Sequence, residues 1–390
     1  MPRLPGRNRL LAFLSAAAVL LGSAGGALQG VCGPFLDVND VAFCPFVLEI
    51  FYLGITTGTT ATTYDPTASV SRLQMAAFLS RTVDSALKRG SRRAALDQFW
   101  TSQNSTVLGI TTLSASPHLI VSDGADVWVP INGGLVVRVR GSDGRILETW
   151  TGATNASGSL SAMGKIFVVG DSSPGRLHQI DPSQPAGAVT TVASNLGNAS
   201  TSLTFDGARI WTADGASAVS IITPGAAIPW TVTVVGSPSF FAPAGILFDG
   251  SNVWITDQNN HTLMKLDSAG AVLLTVTVGN FPQYPVFDGT NIWVPNRGGS
   301  DSVSVVRPAT GAVLATLTGN GLNSPIGSAF DGQRVLITNL GGNSVSLFKA
   351  ADLSPIGSFT VGSAIGIVGA CSDGTYFWLG FETGSKLARF

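Results

Sequence analysis

The side chains that could carry out acid–base chemistry are few in this chain. A general acid or base must be a histidine, a carboxylate or a similar group beside the reacting atoms. Only three histidines are present, namely His118, His178 and His261. His261 shares a polar segment with Asp257, and Glu382 is one of two glutamates beyond residue 105. We predict His261, Asp257 and Glu382 as the candidates for a catalytic site.

Polar residues in comparable segments are candidates for ligand binding. They are Asp171, Asp214, Asn259, Asn296, Arg297, Asn339 and Asn343. Carboxylate oxygens bind cations, which raises the hypothesis of a cation held by Asp171, Asp214, Asp257 and Glu382. The alternative is that these carboxylates cap loop amides. No Cys-x-x-Cys pair or Cys/His cluster indicates zinc, so apart from this hypothetical cation we predict no cofactor.

These segments recur because the chain repeats itself. Asp-Gly pairs begin at Asp123, Asp206, Asp249, Asp288, Asp331 and Asp373, and Met163-Gly164 is a degenerate copy. Successive copies lie 39 to 43 residues apart. A tryptophan follows the aspartate by five residues in five copies, at Trp128, Trp211, Trp254, Trp293 and Trp378. Such a period indicates a solenoid or a propeller.

Each repeat contains four short strand patterns. In one unit Phe287 ends a first strand, and Asp288-Gly289 turns the chain. Three further strands follow, at 292–294, 303–306 and 313–317. Four antiparallel strands at this period make one propeller blade.

Seven copies predict a mainly β fold, a seven-bladed β-propeller of four-stranded antiparallel blades over residues 105–390. The last copy ends at Phe390 after only three strands. We therefore predict that residues 106–112 supply the missing strand and close the ring. Closure leaves no exposed sheet edge between the first and last blades.

The predicted blades place the candidate residues on one face. In a propeller, the loops between second and third strands lie around the channel mouth, together with the blade-to-blade connections. His261 falls in such a loop, whereas His118 precedes an inner strand and His178 lies on a third strand. The Asp-Gly turns fall on the opposite face, and we interpret them as structural. The tryptophans are interpreted as packing between blades rather than as a row that stacks on sugars.

Phe-Asp-Gly recurs at 205–207, 248–250, 287–289 and 330–332, and the segments 292–296 and 343–347 carry related patterns. These residues resemble the YVTN/NHL-like class of seven-bladed propellers. The resemblance implies the fold and leaves the function open, because this architecture hosts binding proteins, lyases and lactonases.

The first 27 residues predict a secretory signal peptide. A basic start precedes an uncharged apolar run over residues 10–22, and small residues follow at Ala24 and Ala27. The run is shorter than the ~20 residues that span a bilayer, although an uncleaved anchor is the alternative. Export permits a disulfide, which we predict between Cys32 and Cys44. No transmembrane segment is predicted after signal cleavage.

Residues 30–85 predict a small helical module. Its second helix is expected from Arg72 to Leu87, with Leu73 and Leu79 toward a core. Residues 86–104 are predicted to be a linker.

Four segments of this module occur in a specific order, at 35–38, 53–58, 64–66 and 70–79. They resemble the S-layer homology (SLH) domain. The resemblance implies attachment to cell-wall or envelope polymer, with Arg72 pairing with acidic polymer groups. The family normally has an acid where Gln74 stands, and three tandem copies where this chain has one. A purely structural module is therefore the alternative.

The charge balance excludes one class of partner. The formal net charge is -1, and it becomes -4 once the three arginines of the predicted signal are removed. Neither part has the basic surplus that a nucleic-acid backbone requires, so nucleic acid is not expected.

Three hypotheses for function remain open. The first is a bacterial cell-surface or secreted binding or scaffold protein, attached to the envelope by the SLH-like module and presenting its propeller to a protein or glycan. The second is an extracellular enzyme of lyase or lactonase type, with its site at the channel mouth. The third is a structural component of a surface layer.

Overall fold

The computed structural model describes residue 32 and residues 34–40, 42–52, 55–89, 110–141, 144–299, 301–361 and 366–390. Two compact units divide the chain, Met1–Gln98 and Phe99–Phe390. The predicted signal peptide and most of the predicted linker lie outside the described residues. In the part of the chain that is described, no helix has the length and apolar character needed to cross a membrane.

The first unit contains two helices, α1 (Cys44–Tyr52) and α2 (Arg72–Arg89). A disulfide joins Cys32 to Cys44, with their Cα atoms 5.4 Å apart. The small apolar core of the unit is formed by Cys32, Phe35, Val38 and Val47.

Helix α2 begins with a reciprocal pair of hydrogen bonds. The Gln74 amide donates to Ser71 Oγ at 3.2 Å, and the Ser71 amide donates to Gln74 Oε1 at 2.8 Å. This capping box satisfies two amides at the start of the helix, and Gln serves it as Glu would. The prediction that Leu73 and Leu79 face a core is wrong, because they are 84% and 60% exposed.

The second unit confirms the predicted seven-bladed propeller, with seven four-stranded antiparallel sheets. Blade 1 contains β2 (Val121–Ser122), β3 (Asp126–Ile131), β4 (Leu135–Arg140) and β5 (Ile146–Thr151). Blade 2 contains β6 (Ala156–Ala162), β7 (Lys165–Gly170), β8 (Gly175–Ile180) and β9 (Thr190–Leu196). Blade 3 contains β10 (Ser200–Phe205), β11 (Ile210–Asp214), β12 (Ala218–Thr223) and β13 (Thr231–Gly236).

The remaining blades follow the same order from the innermost to the outermost strand. Blade 4 contains β14 (Pro243–Phe248), β15 (Val253–Asp257), β16 (Thr262–Leu266) and β17 (Val272–Thr277). Blade 5 contains β18 (Val286–Phe287), β19 (Ile292–Asn296), β20 (Ser302–Arg307) and β21 (Ala312–Leu317). Blade 6 contains β22 (Pro325–Phe330), β23 (Arg334–Asn339), β24 (Ser344–Lys349) and β25 (Pro355–Thr360).

Blade 7 joins the two ends of the unit. Its strands are β26 (Ile367–Ser372), β27 (Phe377–Phe381), β28 (Lys386–Arg389) and β1 (Ile110–Thr112). Strand β1 pairs antiparallel with β28, so that Ile110 lies opposite Ala388. Residues 106–109, the start of the predicted closing strand, lie outside the described residues.

One hydrogen bond recurs at the Asp-Gly turns. The indole Nε1 of the tryptophan on the second strand donates to Oδ2 of the turn aspartate, as Trp293 does to Asp288 at 2.7 Å. Oδ1 of Asp288 accepts the backbone amides of Thr290 and Asn291, each at 2.7 Å. The same indole bond occurs at 2.7–2.8 Å in Trp128, Trp211, Trp254 and Trp378. The aspartate therefore fixes the turn and orients the indole together.

These tryptophans pack against the next blade, as the sequence predicts. Trp128 of blade 1 lies in one cluster with Ile166 and Val168 of blade 2. Trp293 of blade 5 likewise meets Val335 and Ile337 of blade 6. All five tryptophans are essentially fully buried. Blade 6 has Leu336 at the equivalent position, and there Arg334 Nε donates to Asp331 instead, at 2.8 Å.

Trp293→Ala should lower the free energy of unfolding by about 3–5 kcal/mol, because it leaves a cavity between blades 5 and 6. The measurement is urea denaturation followed by circular dichroism. Trp230→Ala is the control, since Trp230 is half-buried and its indole donates to the carbonyl of Gly225. A denaturation midpoint of Trp293→Ala near the wild-type value would show that this indole does not hold the blades together.

Candidate functional site

Small residues on the inner strands allow neighbouring blades to contact each other closely around the central channel. On each inner strand, one residue pairs with the tryptophan of the second strand, or with the residue that replaces this tryptophan. The position compared here lies two residues before that paired residue. From blade 1 to blade 7 it is occupied by Leu119, Gly158, Ser202, Gly245, Tyr284, Gly327 and Gly369. A β-carbon at Gly369 would clash with the carbonyl oxygen of His118, and one at Gly158 with that of Thr201. Close contact between neighbouring inner strands thus requires glycine.

Serine hydroxyls connect the inner strands of neighbouring blades. Ser159 Oγ donates to the Leu119 carbonyl at 2.7 Å, and Ser157 Oγ donates to the Ser200 carbonyl at 2.9 Å. Ser328 Oγ donates to the carbonyl of Tyr284 at 2.7 Å. These bonds fix the backbone from which the residues at the channel mouth project.

A cavity of about 390 Å³ opens at the channel mouth. Blades 1, 2, 3, 5 and 7 all contribute to its wall. Its side chains include His118, Leu119, Asn132, Asn155, Asp171, Thr201, Tyr284 and Val368. This volume lies at the lower end of the range for small-molecule sites, and the wall combines apolar surface with a few polar groups.

Tyr284 stands between this mouth cavity and a second cavity deeper in the channel. The deeper cavity measures about 130 Å³ and shares both Tyr284 and Leu119 with the mouth cavity. Burial raises the pKa of Tyr284, the negative charge of Asp171 acts in the same direction, and the positive charge of Arg297 opposes them. The phenol is therefore neutral at physiological pH and can both donate and accept a hydrogen bond.

His118 and Asn132 form the polar wall on the blade 1 side. His118 Nε2 and Asn132 Oδ1 are 2.7 Å apart. An amide oxygen only accepts, so His118 Nε2 is the donor in this contact. On the blade 2 side, Asn155 Nδ2 donates to the backbone carbonyl of Asp171 at 3.0 Å, which joins the two mouth loops of that blade. The Asp171 side chain is exposed to solvent at the mouth.

Four of the predicted ligand-binding or catalytic residues occupy one repeated structural position. Asp214, Asp257, Asn296 and Asn339 end the second strands of blades 3 to 6, and each is completely buried. Asp257 accepts the backbone amides of Phe241, Ala242 and Asn260 at 2.6–3.1 Å. Asp257 therefore fixes the loop that enters blade 4. This agrees with the alternative prediction that these carboxylates cap loop amides.

The other three members of this set bind hydroxyl groups. Asp214 accepts hydrogen bonds from Ser200, Thr212 and Ser220 at 2.6–2.8 Å, and burial raises its pKa. Asn296 Nδ2 donates to Ser302 and Ser304, and Asn339 Nδ2 donates to Ser344 and Ser346. At the end of the second strand, blades 5 and 6 therefore have an asparagine amide where blades 3 and 4 have an aspartate carboxylate.

The remaining predicted residues are dispersed around the mouth face. His261 Nδ1 accepts the Phe281 amide at 3.1 Å, which ties the blade 4 loop to the next connection. Asn259, Arg297 and Glu382 are exposed, and the backbone carbonyl of Asn343 accepts the Val361 amide at 2.7 Å. Of the ten residues predicted for the mouth, all of them described, Asp171 is the one that lines the 390 Å³ cavity.

The four carboxylates of the hypothetical cation site are not brought together. Asp214 and Asp257 are buried within separate blades, whereas Asp171 and Glu382 are exposed. Within the described ranges, no group of three His, Cys, Asp or Glu residues has an arrangement that could hold a metal ion.

His178, which is buried in blade 2, has its pKa lowered to about 4 by burial and by the nearby charge of Arg176.

Tyr284, His118 and Asn132 are among the cavity residues that were not predicted from the sequence. Tyr284 had a detectable signal, because an alignment of the repeats places it where four blades have glycine and one has serine. His118 was assigned to the approach of an inner strand, and that approach forms the cavity wall. Asn132 follows the second strand of blade 1 directly, as the predicted mouth residues do in other blades.

No family model and no curated protein matches the chain. The SLH and YVTN/NHL resemblances therefore remain predictions.

Solved structures do match the propeller. A streptogramin B lyase structure is 15% identical, with a TM-score of 0.59, and the match covers 74% of this chain and 99% of that one. A catalytically inactive virginiamycin B lyase from Staphylococcus aureus with quinupristin is 15% identical, with a TM-score of 0.61 and coverages of 73% and 98%. The WD40 propeller domain of Doa1 is 13% identical, with a TM-score of 0.60 and coverages of 75% and 97%. At these identities the likeness establishes the propeller fold, which is common to proteins of different function.

Proposed function

We propose that this protein is an exported binding protein whose propeller holds a small, neutral, polar ligand at the channel mouth, such as one sugar residue of a glycan. The observation that carries the proposal is Tyr284. It places an aromatic ring in the 390 Å³ mouth cavity, at an inner-strand position where most blades have glycine or serine. An aromatic ring offers a flat apolar surface together with a polar hydroxyl.

The chemistry of the wall supports a hydroxyl-rich ligand. Asn132 and Asn155 present amides, Asp171 presents an acceptor, and His118 adds a ring nitrogen. Such groups form several hydrogen bonds with sugar hydroxyls, whereas Tyr284 and Leu119 can contact the C–H face of a sugar ring. An anionic ligand fits less well, because the wall contains the carboxylate of Asp171 and Arg297 is outside it.

The N-terminal unit is proposed to attach the protein to acidic envelope polymer. Arg72 begins helix α2 and its side chain is exposed. The Ser71–Gln74 capping box fixes this end of the helix and occupies Gln74 in doing so. Arg72 is thus presented outward from a defined turn, where its guanidinium can form charge-assisted hydrogen bonds with polymer carboxylates or phosphates.

An enzyme of lyase type is the second candidate. The observation that favours it is the presence of three titratable side chains, His118, Asp171 and Tyr284, in one cavity of a propeller whose fold is shared with virginiamycin B lyase. Conversion of a bound ligand, detected by mass spectrometry and abolished in His118→Asn, would support this candidate over simple binding.

Tyr284→Ser should weaken ligand binding by at least about 30-fold, because it removes the aromatic surface from the cavity wall. Tyr284→Phe should retain most of the affinity, since it keeps the ring and loses only the hydroxyl. The measurement is binding of the purified protein to a glycan array, followed by calorimetry with the best ligand. Serine occupies the equivalent position in blade 3, so the variant matches a residue that the fold already contains.

Glu382→Gln is the matched control for this experiment. Glu382 is an exposed acid of blade 7 outside the mouth cavity, and its loss should leave the affinity unchanged. Equal affinity of wild type and Tyr284→Ser for the array ligand would place the binding site elsewhere and contradict the proposal.

Arg72→Gln should lower the apparent affinity of the full protein for purified envelope fragments by roughly tenfold, because one charge-assisted contact is lost. The measurement is co-sedimentation. Arg307→Gln makes the same charge change at an exposed position of blade 5 and should pellet like wild type. If Arg72→Gln pellets as wild type does, the attachment is not made through Arg72.

A further inference from the structure

A further cavity lies on the face opposite the channel mouth. It measures about 260 Å³ and is formed by the Asp-Gly turns of blades 3 and 4 and by the turn that follows β16. Phe248, Val253 and Leu266 contribute apolar side chains to its wall. The volume lies just below the usual range for small-molecule sites, so a ligand of this cavity must be small. The polar part of the wall consists of Asp206, Arg209, Ser251, Asn252, Asp267 and Ser268.

The positive charge of Arg209 is already paired. Its Nε and Nη2 atoms donate to Asp206 Oδ2 at 3.2 and 3.0 Å, and its Nη1 donates to the carbonyl of Ser268 at 2.6 Å. Burial acts to raise the pKa of Asp206, but hydrogen bonds from Trp211 and from two backbone amides, together with the charge of Arg209, lower it overall. Asp206 is therefore ionised and offsets Arg209. One negative charge remains in the wall, that of Asp267.

Asp267 holds this charge in a fixed position. Its Oδ1 accepts the amides of Ala269 and Ala271, each at 2.8 Å, which fixes the carboxylate on its own turn. Among the described residues, no group donates to Oδ2. Lys265 is the base closest to Asp267 in the chain, but its ammonium lies over the ring of Trp254, 5.5 Å from the centroid, and forms no ion pair with Asp267. The second carboxylate oxygen is therefore open to a donor.

Blade 2 shows what binds an aspartate at this position. Asp181 is the equivalent of Asp267, because each lies two residues after the third-strand residue that pairs with the tryptophan or its equivalent. Asp181 Oδ1 likewise accepts an amide of its own turn, that of Ser183, at 3.0 Å. Its Oδ2 binds Lys165 Nζ at 2.5 Å, and this hydrogen bond lowers the pKa of Asp181 to about 2. The partner of the second oxygen in blade 2 is thus a primary ammonium group.

Blade 4 lacks the lysine that blade 2 supplies. Asn252 occupies the position of Lys165, two residues before the tryptophan or its equivalent. The Asn252 side chain is shorter and uncharged, and its Nδ2 donates to the carbonyl of Leu266 at 3.3 Å. Both Asn252 and Asp267 line the cavity. Blades 1, 3, 5 and 6 have no acid at the position of Asp267, where they carry Arg140, Thr223, Arg307 and Lys349.

We propose that this cavity binds a primary alkylammonium ion whose carbon chain is about as long as that of a lysine side chain. The ammonium group donates to Asp267 Oδ2, as Lys165 donates to Asp181, and the carbon chain packs against the apolar wall beside Phe248. An ammonium group has three N–H donors and one positive charge, which match the open carboxylate oxygen and the remaining negative charge. The site is independent of the channel mouth, because it shares no residue with the mouth cavity.

The test is binding of n-butylammonium to the full purified protein, measured by saturation-transfer difference NMR. 1-Butanol has the same carbon chain without the charge and should bind at least about tenfold more weakly. Asp267→Asn should weaken the binding of n-butylammonium by a similar factor, because the charge-assisted hydrogen bond is lost. Asp352→Asn is the matched control. Asp352 is an exposed aspartate of blade 6 that also accepts an amide of its own turn, so its loss should leave the affinity unchanged.

Asn252→Lys tests the comparison with blade 2. The introduced side chain offers Asp267 an ammonium group from within the chain, so it should abolish the binding of n-butylammonium while the thermal midpoint stays at or above that of wild type. Tyr284→Ser should bind n-butylammonium as wild type does, since Tyr284 lies at the channel mouth. Undiminished binding in Asp267→Asn, or equal affinity of wild type for n-butylammonium and 1-butanol, would overturn the proposal. The absence of detectable n-butylammonium binding to wild type would overturn it as well.

Discussion

The hydrogen bond from a buried indole to the carboxylate of an Asp-Gly turn is the interaction on which this propeller depends. In blade 5 the Asp288 carboxylate accepts the Trp293 indole and two backbone amides at once. The turn and the large side chain are therefore fixed together, and the indole packs against the adjacent blade in a defined position. Because five blades repeat this contact, successive sheets are placed in nearly the same way and the ring can close through β1 and β28.

The contacts that recur from blade to blade also separate residues that stabilise the fold from residues that are candidates for binding. Asp214, Asp257, Asn296 and Asn339 are polar and near the mouth, yet they end equivalent strands, are fully buried and bind loop amides or hydroxyls. Tyr284 is different, because one blade alone places an aromatic side chain in the channel at this position. We propose the mouth as the binding site because Tyr284 departs from the repeat and also lines the mouth cavity.

The sequence was sufficient to predict the propeller, its seven blades and the packing of the tryptophans, because six of the seven repeats carry the Asp-Gly turn and five carry the tryptophan. It was not sufficient to find the cavity. His118 and Tyr284 are far apart in the chain and meet only because the ring brings blades 1 and 5 to one axis. The burial of Asp257 could not be predicted either, since a polar residue after a strand can face solvent or cap a loop. In the helical module, apolar spacing wrongly predicted a buried Leu73.

The most direct test of the account is ¹⁹F NMR of protein labelled with fluorotyrosine, titrated with soluble fragments of purified envelope polysaccharide. The chain has four tyrosines, at Tyr52, Tyr64, Tyr284 and Tyr376, which Tyr→Phe variants assign. Two lie in the N-terminal unit and Tyr376 lies in the Asp-Gly turn of blade 7. Binding at the channel mouth predicts a saturable shift of the Tyr284 resonance. Shifts confined to the other three tyrosines would contradict the account.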